Sequence, residues 1–383
     1  MPDQPTHREA SGTGPRVLQV LGSSAGGVAR HVAQIAAAAP SRGIRVAVAG
    51  PAALRAQVAG EGVPYVPVEI TDRPGPGDVA VVRRLRALER TTDVVHAHGL
   101  RAGALAVIAA AGLRGRPAIV VTLHNLPVGG AAVRAIAEVL ERLVARGADV
   151  VLGVSGDLVE RARARGARRA ERALVPAPPH PAPTSDRAAV RADLGVPDGG
   201  RLLVTVARLA PQKGLDLLCD AAAHLAGVRG DVTWVLAGDG PLADHLAARV
   251  ADEALPVRLL GRRSDVADLM AAADVVVSTA LWEGQPLGVQ EALALGAAVV
   301  ATDVGGTREV TGDGAAVLVA PDASLVAGAV AAVLGDDARR AHLREAALAR
   351  AAELPTVADT VDQLERVWRD TATRRGTGTP RVG

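Results

Sequence analysis

"RLLVTVARLAPQKGLDLLCDAAAHL", residues 201–225, reads as a buried strand, a short loop and a helix. The strand is an apolar run of Leu, Val and Thr without polar alternation, the pattern of a strand covered on both faces. Pro211 and Gly214 punctuate the loop before Leu- and Ala-rich helical sequence begins. A strand that feeds directly into a helix, repeated along a chain, specifies a parallel sheet with helices on its faces.

The unit recurs. In the second half it returns at "VTWVLAG" (232–238), "VRLLG" (257–261), "DVVVST" (274–279) and "AAVVAT" (297–302). In the first half it is carried by "RVLQVL" (16–21), "RVAVAG" (45–50), "DVVHAH" (93–98), "AIVVTL" (118–123) and "DVVLGV" (149–154). Between the halves, "VPAPPHPAPTSDRAAVRADLGVPDGG" (175–200) opens with prolines that oppose both helix and ladder pairing. We therefore expect an α/β protein of two Rossmann-like, doubly wound parallel-sheet domains facing across a cleft. The expected boundaries are a flexible tail over 1–15, a domain over 16–175, a Pro-rich linker over 176–200 and a domain over 201–355. A last helix over 356–370 and a flexible tail over 371–383 complete the chain. Ligands of such sheets bind beyond the carboxyl ends of the strands.

Composition narrows the function. At 383 residues with 49% apolar and 22% charged residues, the chain has material for two cores. The single cysteine, Cys219, excludes an internal disulfide, and the polar opening "MPDQPTHREASGTG" lacks the apolar run of a signal peptide, so a cytoplasmic location is expected. The net charge of +2 conceals an asymmetry: residues 1–180 sum to +9 and residues 181–383 to −7. Nucleic acid is disfavoured as the partner of the basic half, whose one aromatic residue is Tyr65. An anionic acceptor is one expectation. Peripheral association with the anionic inner face of the cell membrane, through "RRLRALER" (83–90) and "RARARGARR" (161–169), is another, and simple attraction between the halves a third.

Several strand ends carry chemistry. After the first strand, Gly22, Gly26 and Gly27 precede a helix, where glycines admit a ligand to the backbone and free amides attract a phosphate or hydroxyl. The spacing is not G-x-G-x-x-G, which argues against a dinucleotide cofactor. "AIVVTL" delivers His124 and the chain's only asparagine, Asn125. His96 and His98 end a neighbouring strand; alternation is expected to turn only one toward the cleft, and His98 is favoured as nearer the end. Three histidines raise a zinc site as a rival, weakened by the want of a Cys or carboxylate at metal spacing.

Lys213 is the only lysine beside 42 arginines. A lysine is a compact point charge on a flexible stem, suited to a phosphate oxygen. With Arg208 it sets two cations at a strand's carboxyl end, as a diphosphate requires, while the Walker pattern is absent. "WEGQPLGVQEALALG" places Glu283 and Glu291 eight residues apart, with the amides around Leu287 and Gly288 opening a helix and Glu291 suited to ribose hydroxyls.

From about Arg16 to Trp368 the chain resembles the retaining glycosyltransferases of family 4, which have the GT-B fold. The resemblance is carried, in order, by "GGVARHV", "DVVHAHG", "VVTLHN", "VARLAPQKGLD", "LAGDGPL" and "LLGRRSDVADLMAAADVVVSTALWEGQPLGVQEALALGAAVVATDVGGTREV". It implies transfer of a sugar from a nucleotide diphosphate sugar, UDP- or GDP-linked, with retention and without a required metal or other cofactor. It further implies that the first domain takes the acceptor and the second the donor. By resemblance, Arg208 and Lys213 bind the donor diphosphate and Glu291 the ribose. Glu283 and the following amides bind the transferred sugar, with His124 near the reacting centre; Gln285 stands where relatives often have an aromatic. The base is expected around Arg262 and Arg263. The acceptor class, whether sugar, lipid-linked or small metabolite, stays open, as do a GT-B sugar-nucleotide epimerase and a non-catalytic GT-B binding module. The last helix, "TVADTVDQLERVW" (356–368), is expected to cross back to the first domain.

Overall fold

The computed structural model describes residues 14–23, 26–60, 62–126, 130–176, 182–226 and 231–376. The chain divides into two compact units, the first formed by Met1–Val175 with Pro355–Gly383 and the second by Pro176–Leu354. Of the expected N-terminal tail, residues 1–13 lie outside the described residues, as does 177–181 of the linker.

The first unit holds seven parallel strands: β1 (Arg16–Leu21), β2 (Arg45–Gly50), β3 (Tyr65–Pro67), β4 (Val94–His98), β5 (Ala118–Leu123), β6 (Val150–Gly153) and β7 (Ala170–Arg172). Their order is β3-β2-β1-β4-β5-β6-β7. Every residue of β4 and β5 is buried, as continuous apolar strands between two helical layers must be. The second unit holds β8 (Arg201–Val206), β9 (Val232–Ala237), β10 (Val257–Gly261), β11 (Val275–Ser278), β12 (Val299–Thr302) and β13 (Val317–Val319), ordered β10-β9-β8-β11-β12-β13. Its two faces bury separate clusters, one around Trp234, Leu236 and Val300 and the other around Val204, Val235 and Leu293.

In each sheet the strand order reverses once, between β1 and β4 and between β8 and β11. Diverging crossovers at such a switch point open a crevice at the strands' carboxyl ends, which is where ligands of these sheets bind.

Two expected boundaries need correction. The segment 176–200 is not linker throughout: Asp186 accepts from the amides of Ala188 and Ala189 and caps a helix, Arg187–Asp193. Val190 and Leu194 of that segment join the second unit's core. The last helix runs Val357–Gly376, past the expected start of a flexible tail at 371. It packs on the first unit, with Val367 and Trp368 fully buried and Gln363 bonding Leu174 N at 2.9 Å and Arg172 O at 2.7 Å beyond the edge strand β7. Residues 377–383 lie outside the described residues.

Candidate active site

In the second unit, the loops that follow β8 and β11 are laced together. Leu281 N donates to Gln212 O at 2.9 Å, Gln212 Nε2 to Trp282 O at 3.0 Å, and Thr279 Oγ1 to Lys213 O at 3.2 Å. Gly214, at φ +59°, makes this approach possible, because a Cβ there would lie 2.1 Å from Thr279 O. Gly305 does the same for the loop after β12: at φ +51°, its Cβ would lie 2.0 Å from Glu283 O.

This lacing brings Lys213 against Glu283 in an ion pair, with Glu283 buried and Lys213 about a quarter exposed. Both line a cavity of about 40 Å³ with Gly288. Leu287 and Gly288 open the helix Leu287–Ala294, and their amides donate to no acceptor among the described residues. Two free amides at a helix N-terminus beside an ammonium form a site for negative charge. Arg208 is exposed in the loop after β8, and its guanidinium makes no ion pair or hydrogen bond among the described residues. Gln285, half-buried, and Glu291, buried within the helix, flank the cavity without lining it. Arg262 is exposed just beyond β10, two strand positions from β8, while Arg263 is held by Asp265 at 2.8 and 2.6 Å. Cys219 lies in the second unit's core, where burial pushes its thiol up to about 11, so it offers no nucleophile at neutral pH.

In the first unit, the carboxyl ends of β1, β4 and β5 open onto a cavity of about 840 Å³ lined by Gly22, Ser23, His98, His124 and Asn125 among others. Gly26 and Gly27 do not line it; Gly26, at φ +82°, caps the helix Gly27–Ala38. Of His96 and His98 only His98 lines this cavity, as expected, but the alternation expected to separate them does not do so. Residues two apart share a face, and Ala97 takes the other. The two rings are neighbours, with centroids 4.4 Å apart. Depth separates them: His96 Nε2 bonds Thr122 Oγ1 at 2.7 Å beneath the cavity and packs edge-on against Trp368, while His98 reaches the cavity wall.

His98 belongs to a buried chain. Its Nε2 meets Gln19 Oε1 at 2.7 Å and its Nδ1 meets His124 Nε2 at 3.2 Å. With the Gln19 carbonyl oxygen as acceptor, His98 carries its proton on Nε2, so His124 donates from Nε2 and keeps a lone pair on Nδ1. His31 packs edge-on to both rings at 5.9 and 5.8 Å. Burial lowers His31 to about 4 and His96 to about 3. His98 and His124 are held well below the usual imidazole value, first by burial and then by neighbouring histidines. All four are neutral at pH 7. Among the described residues, no group of three or more His, Cys, Asp or Glu side chains is disposed to hold a metal ion, and no helix is long and apolar enough to cross a membrane.

Sequence reading missed Gln19 and His31, which are buried beneath this cavity. Both left a signal: a lone amide within the apolar run "RVLQVL" and a histidine on the apolar face of "GGVARHV".

Two family models match the chain. That of glycosyl transferases group 1 covers residues 186–350 and that of the glycosyl transferase 4-like domain covers 26–178. Among curated relatives, the lipopolysaccharide core biosynthesis mannosyltransferase LpsB of Rhizobium meliloti is 32% identical over 44% of this chain and 51% of its own length. The D-inositol 3-phosphate glycosyltransferase of Mycobacterium tuberculosis is 39% identical over 34% of this chain and 28% of its own. The chain thus matches about half or less of the length of these relatives. Among solved structures, Anabaena Alr3699/HepE in complex with UDP superposes with a TM-score of 0.77 at 24% identity, over 93% of this chain and all of that one. Sucrose-phosphate synthase from Thermosynechococcus elongatus gives 0.75 at 18% identity over 94% of this chain and all of that one. These likenesses, with two parallel-sheet units, establish the GT-B α/β fold.

Proposed function

Because this chain belongs to the group 1 glycosyl transferases, with a glycosyl transferase 4-like first half, we propose that it moves a hexosyl group from a UDP- or GDP-sugar to an acceptor hydroxyl with retention of configuration. The observation that carries this reading is the second unit's site, where Lys213 and Gly288 line one cavity at the N-terminus of the helix Leu287–Ala294, whose first two amides have no acceptor among the described residues.

In this reading the bond between the sugar's anomeric carbon and the diphosphate breaks, and its electron pair departs on the phosphate oxygen. Lys213, Arg208 and the helix amides take up the charge that develops there. The acceptor oxygen forms the new bond on the face the diphosphate leaves, and its proton passes to the departing phosphate. Glu291 holds the ribose, the backbone around Arg262 the base, and Glu283 and Gln285 the transferred sugar. In the first unit His98, His124 and Asn125 bind hydroxyl groups; neutral His124, with its Nδ1 lone pair, is an acceptor rather than a cation there. The amides around Gly26 and Gly27 serve the acceptor side. The cationic residues replace a divalent ion, and the enzyme acts in the cytoplasm.

The test is a screen of UDP-, GDP- and ADP-sugars for acceptor-independent nucleotide release, followed by NMR of the anomeric product. Nucleotide release from none of the three, or a product of inverted configuration, contradicts the proposal.

A further inference from the structure

The 840 Å³ cavity of the first unit is lined by two chemically different groups of residues. One is polar, with His98, His124 and Ser23, whose hydroxyl donates to Asp72. The other is a wall built by one helix, Ala131–Gly147. That helix has two apolar stripes. Ala137, Val144 and Ala145 are buried in the core beside Glu141, which is neutralised by Arg161 at 2.7 Å and Arg165 at 3.2 Å. The second stripe is Val133, Ile136 and Val139, exposed by 47%, 47% and 63%. Val133 and Ile136, with Leu140, line the cavity.

Single exposed apolar side chains are ordinary, but a stripe of them on the wall of a pocket marks something it covers. A free sugar or sugar phosphate would satisfy the histidines and leave Val133 and Ile136 in water. The cavity lies within the usual range for small-molecule sites, about 300 to 1,000 Å³. Its concavity, continuous with the histidines, suits one enclosed chain better than the flat surface of a bilayer.

We propose that the acceptor is an amphiphile, its hydroxyl-bearing head at His98 and His124 and its apolar chain along Val133, Ile136 and Leu140. This rests on the glycosyltransferase reading and narrows its acceptor class.

The test uses the full chain and a homologous series of n-alkyl β-glucosides, methyl to octyl, below their micellar concentrations, with affinity read by calorimetry or ligand-observed NMR. Affinity is expected to rise with each methylene, by up to about fourfold. The Val133→Asn/Ile136→Asn double variant is expected to flatten that rise while its melting temperature stays that of the parent. Leu325→Asn, an equally exposed apolar position on the second unit, should keep the rise. Equal affinity for methyl and octyl glucosides overturns the proposal, and so does a rise that survives the double variant. So does loss of phosphatidylcholine vesicle binding in that variant without any chain-length effect, which would mean the stripe meets a bilayer. Calorimetry with UDP and GDP on the same preparation separates the two readings. Nucleotide binding without a chain-length effect removes only the amphiphile, whereas a chain-length effect without nucleotide binding removes the transferase reading.

Discussion

Lys213 and Glu283, seventy residues apart in sequence, are ion-paired across two loops of the second unit. The ammonium proposed to receive a diphosphate is therefore already held by a carboxylate, which fixes its position and tempers its charge. Lys213→Ala and Arg208→Ala should each weaken binding of the nucleoside diphosphate by roughly 10- to 150-fold, the worth of one charge-assisted contact. Calorimetry decides it, and unchanged affinity in both variants removes the clamp. Lys213→Arg restores charge but not the compact ammonium, so full activity is not expected to return.

Glu283→Gln separates binding from transfer. Relieving Lys213 of its partner should tighten UDP or GDP binding about two- to fivefold, the range of a partly exposed ion pair. Turnover should fall, because the same carboxylate is assigned to the transferred sugar. A variant that binds nucleotide more weakly would show that Glu283 chiefly positions Lys213.

Transfer should persist in excess EDTA, since side-chain cations and helix amides are assigned the neutralising role. Loss of activity on chelation, with rescue by Mg or Mn, would refute that assignment.

Gln19 is predicted to act through His98. Gln19→Leu removes the bond that sets the imidazole's proton, and should lower kcat about 5- to 15-fold with little change in donor KM. Gln19→Glu places a carboxylate against His98, which favours the imidazolium, so the acid limb of the pH profile should move toward neutrality. Unaltered pH profiles in both variants would leave Gln19 a packing residue only.

Stability should have a limb on each side of neutrality. His31 and His96 titrate near 4 and 3 in the native core against 6.5 unfolded. Below pH 6.5 the unfolded chain takes up protons that the native core refuses, so stability falls until the native values are reached. Glu89 acts in the opposite direction. It is buried with no hydrogen-bond partner for either oxygen among the described residues, and burial raises it to about 8 from 4.5. Its stability contribution is whole below pH 4.5 and declines as pH climbs through 8. Glu89→Gln should therefore raise the melting temperature at pH 8.5 and barely alter it at pH 4.5. Thermal melts across pH 4 to 9 would show both limbs, and equal effects at the two pH values would contradict the assignment.

The sheets were legible because buried parallel strands leave continuous apolar runs: β1, β2, β5 and β10 coincide with the runs read from sequence. The edge strands β3, β7 and β13, three residues each, were not, since such short strands carry almost no pattern and exist through their neighbours. Arg208, Lys213 and Glu283 stood out individually by type and place. Their pairing did not, because it depends on two glycines whose close approaches are set by the fold. The histidine chain was half visible: its members at strand ends were found, while Gln19 and His31, hidden among apolar neighbours, were passed over.

The first unit is discontinuous, and its final piece, the helix carrying Val367 and Trp368, follows all of the second unit in the chain. During synthesis the first sheet must wait, with the groove for Trp368 and the edge at β7 uncovered, while some 180 residues of the second unit are made. The order of completion therefore inverts the order of translation: the second unit has all of its chain before the earlier-made one can close.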